Sequence, residues 1–259
     1  MKFNTINYDL SERIGTITLN RPDKRNALNR ELITELQQAF DLTAGDDNVK
    51  VIVLRANGPA FSAGADLDYL KAIRSGTYEE NLVDSQRLGT LYRTIYAHPK
   101  PTIAMVKGAA VAGGCGLITV CDFILATSAS RFGYSESRIG FVPALVMIFL
   151  LKRVGEVHAR RMLLSGELIS ADEALRVGLI TDVLESDDIE TRVRSLSAHL
   201  RDNCSAESMK RIKEMLVTVP GHSLDAAMSY AAEVNARARQ TDDFRQGIEA
   251  FLEKKEVRW

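Results

Sequence analysis

The stretch that decides the fold of this chain is KGAAVAGGCGL, residues 107–117. It follows the apolar run TIAMV at 102–106, which predicts a buried strand, and it precedes LITV at 117–120, which can continue as a helix. Glycines between a strand and a helix let the backbone turn sharply and bring N–H groups close to a ligand. The spacing of the common phosphate-binding loops is absent. The amides of this turn could therefore serve as an oxyanion hole, which holds negative charge on a carbonyl oxygen.

A second glycine-containing turn lies upstream of the first. The run VIVL at 51–54 predicts another buried strand, and FSAGADL follows it at 61–67 after a short loop. Asp66 stands where its carboxylate can cap the first free N–H groups of a helix. The strand–turn–helix pattern therefore occurs twice, and two turns can supply the two amides of an oxyanion hole. Taken singly, each turn is explained equally well by close packing of a helix on a strand.

Further stretches follow a recognisable order along the chain. They are ITLNRP at 17–22 with KRNAL at 24–28, FSAGADL at 61–67, residues 101–122, FG at 132–133 with Glu136, and ADEA at 171–174 with GLI at 178–180. Together they resemble the enoyl-CoA hydratase/isomerase (crotonase) family over essentially the whole length. The resemblance implies an α/β fold, a spiral of repeated β-β-α units with a helical C-terminal region. It also implies an acyl-CoA thioester substrate whose enolate oxygen is held by two backbone N–H groups.

The same resemblance assigns the site residues by motif position. It places the two N–H donors on Ala63 and Gly113 and the acid/base group on Glu136. The predicted substrate-binding residues are Lys24, Arg25, Ala27, Ala63, Gly64, Ala65, Asp66, Leu67, Gly113 and Gly116. Coenzyme A is part of the substrate, so no separate cofactor is expected, and no His/Asp/Glu cluster has the spacing of a metal site.

The largest departure from the family pattern is Gly116. Hydratases of this family usually carry two glutamates that face the thioester, and the position of the first is Gly116 here. The second position holds Glu136, so the chain keeps one carboxylate of the pair. A single base suffices to move a proton between two carbons, as in the double-bond isomerases of the family. Hydration also requires that a water molecule be oriented while the α carbon gains a proton.

Three functions therefore stay open. Gly116, the Ser135-Glu136 pair and the apolar run ALVMIFLL at 144–151 resemble bacterial hydratases of the methylglutaconyl-CoA type, which favours a hydratase-type lyase. A 3-enoyl to 2-enoyl-CoA isomerase that uses one glutamate is the second function. A non-catalytic acyl-CoA-binding protein is the third. The apolar run itself predicts either a buried helix or the lining of an acyl pocket.

Composition limits the class of protein. The chain has 259 residues, of which 46% are hydrophobic, and a net charge of -1. This balance predicts no nucleic-acid groove and no attraction to an anionic membrane surface. No apolar run reaches the length that spans a bilayer, and the N-terminus begins in strand-like alternation without a signal segment. Three cysteines without metal-like spacing predict a reducing, cytoplasmic location.

Strand signals end near residue 186, and four helices are predicted beyond it. We therefore expect an α/β core with the acyl-CoA site at residues 1–195 and a helical region at 196–259. By resemblance to the family, the helical region is expected to assemble the chain into a homo-trimer or hexamer. Earlier in the chain, Asn29 is placed to cap a helix with apolar residues at helical spacing. These are Leu32, Ile33, Leu36 and Phe40.

Overall fold

The expected alternation of strands and helices is present in the computed structural model, which describes residues 2–259. The strands are β1 (Ile6–Ser11), β2 (Ile14–Leu19), β3 (Val51–Ala56), β4 (Thr102–Val106), β5 (Ala109–Val111), β6 (Phe123–Thr127), β7 (Arg131–Gly133), β8 (Ile169–Ser170) and β9 (Asp182–Leu184). The helices are α1 (Arg30–Gly45), α2 (Leu67–Ser75), α3 (Tyr78–Tyr96), α4 (Gly113–Thr119), α5 (Ala144–Ser165), α6 (Ala171–Arg176), α7 (Ile189–Asn203), α8 (Ala206–Thr218), α9 (Leu224–Ala238) and α10 (Asp242–Leu252). Short 3-10 turns lie at Pro22–Lys24, Glu136–Ile139 and Val219–Gly221.

Six strands form one large sheet in the order β1-β2-β3-β4-β6-β9. β1 and β2 pair antiparallel, and the other neighbours in this sheet are parallel. A parallel sheet is covered on both faces, so its central strands are apolar along their length. Residues 51–54 of β3 and all of β4 are buried accordingly. This is why the runs VIVL and TIAMV predict strands without an alternating pattern.

A second, smaller sheet has the order β5-β7-β8 and lies beside the two glycine turns of the sequence analysis. The chain visits the two sheets in turn: β4 in the large sheet leads to β5 in the small one and then to α4, and β6 leads to β7 and then to α5. A parallel bridge between Ser62 and Ala110 extends the same pattern to the segment after β3. This repetition is the β-β-α spiral expected from the sequence.

The core lies on both faces of the large sheet. Along β3, Val51 and Val53 pack on one face, and Ile52 and Leu54 pack on the other, as strand geometry requires. α7 covers the first face, whereas α1, α3, α4 and α5 contribute to the cluster on the second. In α1, the Asn29 side chain accepts from the backbone N–H of Leu32 at 2.9 Å, and the predicted apolar stripe is buried. The prediction for this helix is confirmed.

α7 crosses the boundary that the sequence places between residues 195 and 196. Ile189 and Val193 before that point and Leu200 after it belong to one apolar cluster with the sheet. A division there would cut a helix that belongs to the core. α8, α9 and α10 follow and complete the helical C-terminal region. Within residues 2–259, no helix has both the length and the apolar character needed to span a bilayer.

Candidate active site

Buried Asn26 ties together the loops beneath the site. Its side-chain amide donates to the carbonyls of Asn57 at 2.8 Å and Ala60 at 3.0 Å, and its oxygen accepts from the backbone N–H of Arg21 at 2.8 Å. Arg25 and Asn26 adopt the left-handed conformation, with φ of 49° and 52°. Asparagine tolerates that conformation better than most residues. The loop at 21–28 is therefore held in one shape by bonds to the segment that precedes the first glycine turn.

The two glycine turns meet, as the sequence predicts. Ser62 donates through its N–H to the carbonyl of Ala109 at 3.1 Å and accepts from the N–H of Val111 at 3.0 Å. Gly64 has a φ of +90°, and a β-carbon there would lie 2.9 Å from the Cβ of Ala112. Only glycine combines that φ with so close an approach. The turn around Gly64 therefore packs directly against the turn that leads into α4.

The backbone hydrogen bonds correct one predicted donor. The N–H of Ala63 already donates to the carbonyl of Arg25 at 3.0 Å, so it is not free to hold a thioester oxygen. The peptide groups on either side of Ala65 bond to Leu28 at 2.7 and 2.8 Å in a parallel bridge. In such a bridge the N–H of the central residue points away from the partner segment. The N–H of Ala65 has no acceptor among the described residues, and this makes Ala65 the better candidate.

The second candidate donor stands at the start of α4. Ala112, with a φ of 52°, is the residue before the helix, and its carbonyl accepts from the N–H of Gly116 at 3.0 Å. The N–H groups of a helix's first turn have no acceptor within the helix. The N–H of Gly113 also has no acceptor outside the helix among residues 2–259. Gly113 therefore keeps an unoccupied N–H at the place where the two turns meet.

Glu136 enters the site from the small sheet. The N–H of Ala112 donates to the carbonyl of Gly133 at 2.8 Å, which ties the glycine turn to the strand that leads to Glu136. The Glu136 side chain is buried, and its Oε2 has no hydrogen-bond partner in the described part of the chain. Burial raises the pKa of this carboxyl above its ordinary value. A carboxyl group in this state can both take up and return a proton.

The space beside Gly116 is occupied. A β-carbon on Gly116 would lie 2.5 Å from the hydroxyl of Tyr92 and 2.5 Å from a methyl group of Val146. Tyr92 is fully buried, and its hydroxyl donates to the carbonyl of Gly113 at 2.8 Å. Sequence reasoning missed Tyr92, because its contact with another helix is not encoded in the local sequence. Its phenol group, next to Leu91 in the buried stripe of α3, was the available signal.

The predicted coenzyme A residues differ in exposure. Lys24 and Arg25 are exposed, Ala27 is buried, and Leu67 is largely exposed at the start of α2. Asp66 serves the fold: its carboxylate pairs with Arg21 at 2.9 Å and caps α2. Burial alone would raise the pKa of Asp66, but these hydrogen bonds hold it below its ordinary value. Within the described residues, no His, Cys, Asp or Glu side chains form a group of three that could hold a metal ion.

The apolar run at 144–151 forms the first eight of the 22 residues of α5 and is mixed in exposure. Val146 and Leu150 are buried, whereas Met147 and Ile148 are exposed. The segment that joins Glu136 to this helix is also apolar and exposed, with Phe141 bonded through its N–H to the Glu136 carbonyl at 3.0 Å. Neither alternative for the run, buried helix or pocket lining, describes it fully. One face packs in the core, and the other remains available beside Glu136.

Comparison with known proteins agrees with this geometry. The sequence profile of the enoyl-CoA hydratase/isomerase family matches residues 9–259. A Thermus thermophilus protein assigned as an enoyl-CoA hydratase is 39% identical over 246 residues, 95% of this chain and 97% of that protein. The trans-2-decenoyl-[acyl-carrier-protein] isomerase of Streptococcus mutans is 27% identical over 98% of this chain and 97% of its own length. The crystal structure of an enoyl-CoA hydratase from Shewanella pealeana superimposes with a TM-score of 0.95 at 30% identity, covering 100% of this chain and 97% of that one.

The chain therefore belongs to the enoyl-CoA hydratase/isomerase family, a family of enzymes with the crotonase fold. The match extends over nearly the whole chain, as the sequence predicted.

Proposed function

We propose that this protein is a hydratase-type lyase that adds water to a 2-enoyl-CoA thioester. The observation that carries the proposal is the buried carboxyl of Glu136, whose Oε2 has no hydrogen-bond partner among the described residues. The Ala112–Gly133 hydrogen bond ties the strand before Glu136 to the turn with the unoccupied Gly113 N–H. The free N–H of Ala65 on the adjoining turn supplies the second donor. The names of most relatives with high similarity also support hydration, since hydratases predominate among them.

In the proposed reaction, the N–H groups of Ala65 and Gly113 hold the thioester oxygen. The Glu136 carboxylate accepts a proton from water while the water oxygen bonds to the β carbon, and the electron pair of the double bond moves onto the thioester oxygen as an enolate. The α carbon then takes the proton from the Glu136 carboxyl, and the thioester carbonyl re-forms. The raised pKa of Glu136 suits this cycle, because the same group must accept and return a proton.

The occupied space at Gly116 favours a second candidate, a 3-enoyl to 2-enoyl-CoA isomerase. Tyr92 and Val146 leave no room there for a second carboxylate. In an isomerase, Glu136 would remove a proton from C2 of the 3-enoyl ester and return it to C4, with the same two N–H groups on the oxygen. No oriented water is needed for that reaction, and one carboxylate is sufficient.

Three finer assignments belong to the proposal. A branched or carboxylated acyl group, as in methylglutaconyl-CoA, is supported by the sequence resemblance at Gly116, at Ser135-Glu136 and at 144–151. Assembly as a trimer or hexamer is supported by exposed apolar side chains on the C-terminal helices. A cytoplasmic location is supported by three free cysteines.

Product analysis with a panel of CoA esters tests the function. The wild-type protein and Glu136→Gln are incubated with crotonyl-CoA, a 3-enoyl-CoA and methylglutaconyl-CoA in isotopically labelled water. A product whose mass has increased by one labelled water supports the lyase. A product with a shifted double bond and no added water supports the isomerase. Glu136→Gln should lose about a hundred- to ten-thousand-fold in turnover while still binding the ester. Binding of every ester without any product would identify an acyl-CoA-binding protein instead.

A further inference from the structure

Tyr92 is a buried polar side chain that the proposed reaction does not use. It lies on α3, with no exposed surface, and its ring packs against Phe149 at a centroid distance of 6.5 Å. Its hydroxyl reaches across to α4 and donates to the carbonyl of Gly113 at 2.8 Å. One hydrogen bond therefore connects the interior of α3 to the first residue of the helix that carries a candidate oxyanion donor.

The hydroxyl also lies close to the rest of the first turn of α4. A β-carbon on Gly113 would stand 3.3 Å from it, and one on Gly116 would stand 2.5 Å from it. The turn opens with two consecutive glycines, Gly113 and Gly114, whose backbones are free to rotate more than those of other residues. A bond to the Gly113 carbonyl limits rotation about the Cα–C bond of that glycine. The preceding peptide, Ala112–Gly113, contains the Gly113 N–H, and the bond from the Gly116 N–H to the Ala112 carbonyl holds it at 3.0 Å.

The phenol group keeps the proton that it donates to the Gly113 carbonyl. Burial is the main cause of the raised pKa of Tyr92, and the negative charge of nearby Glu136 raises this pKa further. The hydroxyl therefore keeps its proton throughout the pH range in which Glu136 titrates. Because the side chain has no exposed surface, it does not reach a substrate in this conformation.

We propose that Tyr92 is a positioning residue of the oxyanion turn. Its hydroxyl fixes the Gly113–Gly114 peptide on one side of the Gly113 Cα, and the Ala112–Gly116 bond fixes the Ala112–Gly113 peptide on the other, so that the Gly113 N–H stays directed at the thioester oxygen. The hydroxyl occupies space that only a glycine at 116 leaves free. The proposal rests on the proposed function only in that the ligand is an acyl-CoA thioester.

The test is Tyr92→Phe, which removes the hydroxyl and keeps the ring. Because one hydrogen bond is lost, we expect Tyr92→Phe to lower kcat by about three- to tenfold and to leave KM within about twofold of wild type. The matched control is Tyr96→Phe. Tyr96 lies one turn further along α3 and packs on the same Phe149 at 5.0 Å, and its hydroxyl has no hydrogen bond within residues 2–259. Tyr96→Phe should match wild type in both constants.

A non-reacting ligand separates this proposal from the function itself. Butyryl-CoA with a carbon-13 label in the thioester carbonyl is bound to each protein, and the infrared carbonyl stretch reports how strongly the two N–H groups polarise it. Wild type and Tyr96→Phe should lower the frequency equally, and Tyr92→Phe should lower it less. If wild type leaves the carbonyl unshifted, the oxyanion site of the proposed function is wrong.

Glycine-selective amide exchange gives a readout without ligand. Exchange at Gly116, whose N–H is bonded to the Ala112 carbonyl in the same turn, should be faster in Tyr92→Phe than in wild type, with no change at Gly45 on α1. A Tyr92→Phe protein with wild-type kcat, carbonyl frequency and exchange overturns the proposal. A fall in thermal stability together with an unchanged carbonyl frequency overturns it too, since that result describes a structural tyrosine.

Discussion

At the scale of single residues, the two buried glutamates of this chain are in opposite states. Glu35 is held by the N–H groups of Asn4 and Thr5 at 2.8 and 2.7 Å, and these bonds outweigh burial and lower its pKa. Glu136 has an unpartnered Oε2, and burial raises its pKa. The fold therefore stabilises the ionised form of one glutamate and the protonated form of the other. A buried carboxyl without a partner is costly to the fold and useful to a proton-transfer reaction.

This contrast predicts opposite stability changes for two matched variants. A carboxyl with a raised folded pKa contributes stability below its unfolded pKa and loses it as pH rises through the folded value. Glu136→Gln should therefore raise the thermal unfolding midpoint at neutral pH, and the gain should shrink as pH falls toward the ordinary glutamate value of 4.5. Glu35→Gln should lower the midpoint at neutral pH, because the stability from its lowered pKa is present above the unfolded value. Calorimetry between acid and neutral pH measures both, and two changes of the same sign would contradict the assignment.

At the scale of elements, the first turn of α4 is packed against α3 and α5 without spare volume. An alanine at 116 would place its β-carbon 2.5 Å from both Tyr92 and Val146. A glutamate at 116 would therefore have to displace Tyr92 and Val146. Gly116→Glu alone should lose activity on the native substrate for this steric reason, in addition to the cost of a second buried carboxyl.

The milder change gives the clean measurement. Gly116→Ala should destabilise the protein by about 1–3 kcal/mol, because overpacking a filled core forces side chains and backbone to shift. Gly45→Ala is the control, since a β-carbon at Gly45, also within a helix, meets no atom within 4 Å. Gly45→Ala should stabilise the protein slightly, by about 0.4–1 kcal/mol, because alanine has fewer unfolded conformations to lose than glycine. Denaturant unfolding measures the free energy of unfolding of both variants. Equal values would show that the turn at Gly116 can hold a β-carbon without strain.

Most correct sequence predictions came from hydrophobic periodicity and from turn residues. Contacts between distant elements could not be predicted. The apolar runs of β3 and β4, the Asn29 cap and the two glycine turns are local signals, and each was confirmed. The short strands β5 and β7 were missed because three residues inside a glycine-rich or polar segment carry no period. The resemblance assigned the donor to Ala63 by motif position. The structure favours Ala65, because the direction of an N–H depends on the register with Leu28, which no local pattern encodes. Tyr92 was missed for the same reason.

At the scale of the whole molecule, the C-terminal helices present apolar side chains that the chain itself does not cover. Ile212 and Leu216 on α8, Met228 on α9, and Ile248 and Phe251 on α10 are exposed. By contrast, α7 just before them is packed into the core. Exposed apolar side chains recur on three successive helices, and exposed apolar patches usually mark contacts with other chains. The surface is consistent with the proposed assembly of identical chains.

We therefore expect a trimer or hexamer in solution, and a charge on this surface should dissociate it. Ile248→Asp should shift the mass measured by light scattering toward the 28.6 kDa of one chain, because a carboxylate cannot be buried unpaired between apolar helices. Leu42→Asp provides the control, since Leu42 on α1 is exposed to a similar degree but lies outside the C-terminal helices. It should leave the assembly intact. A wild-type mass near one chain at micromolar concentration would contradict the prediction. Loss of assembly in Leu42→Asp alone would place the interface on α1, because a symmetric contact must contain the residue whose charge breaks it.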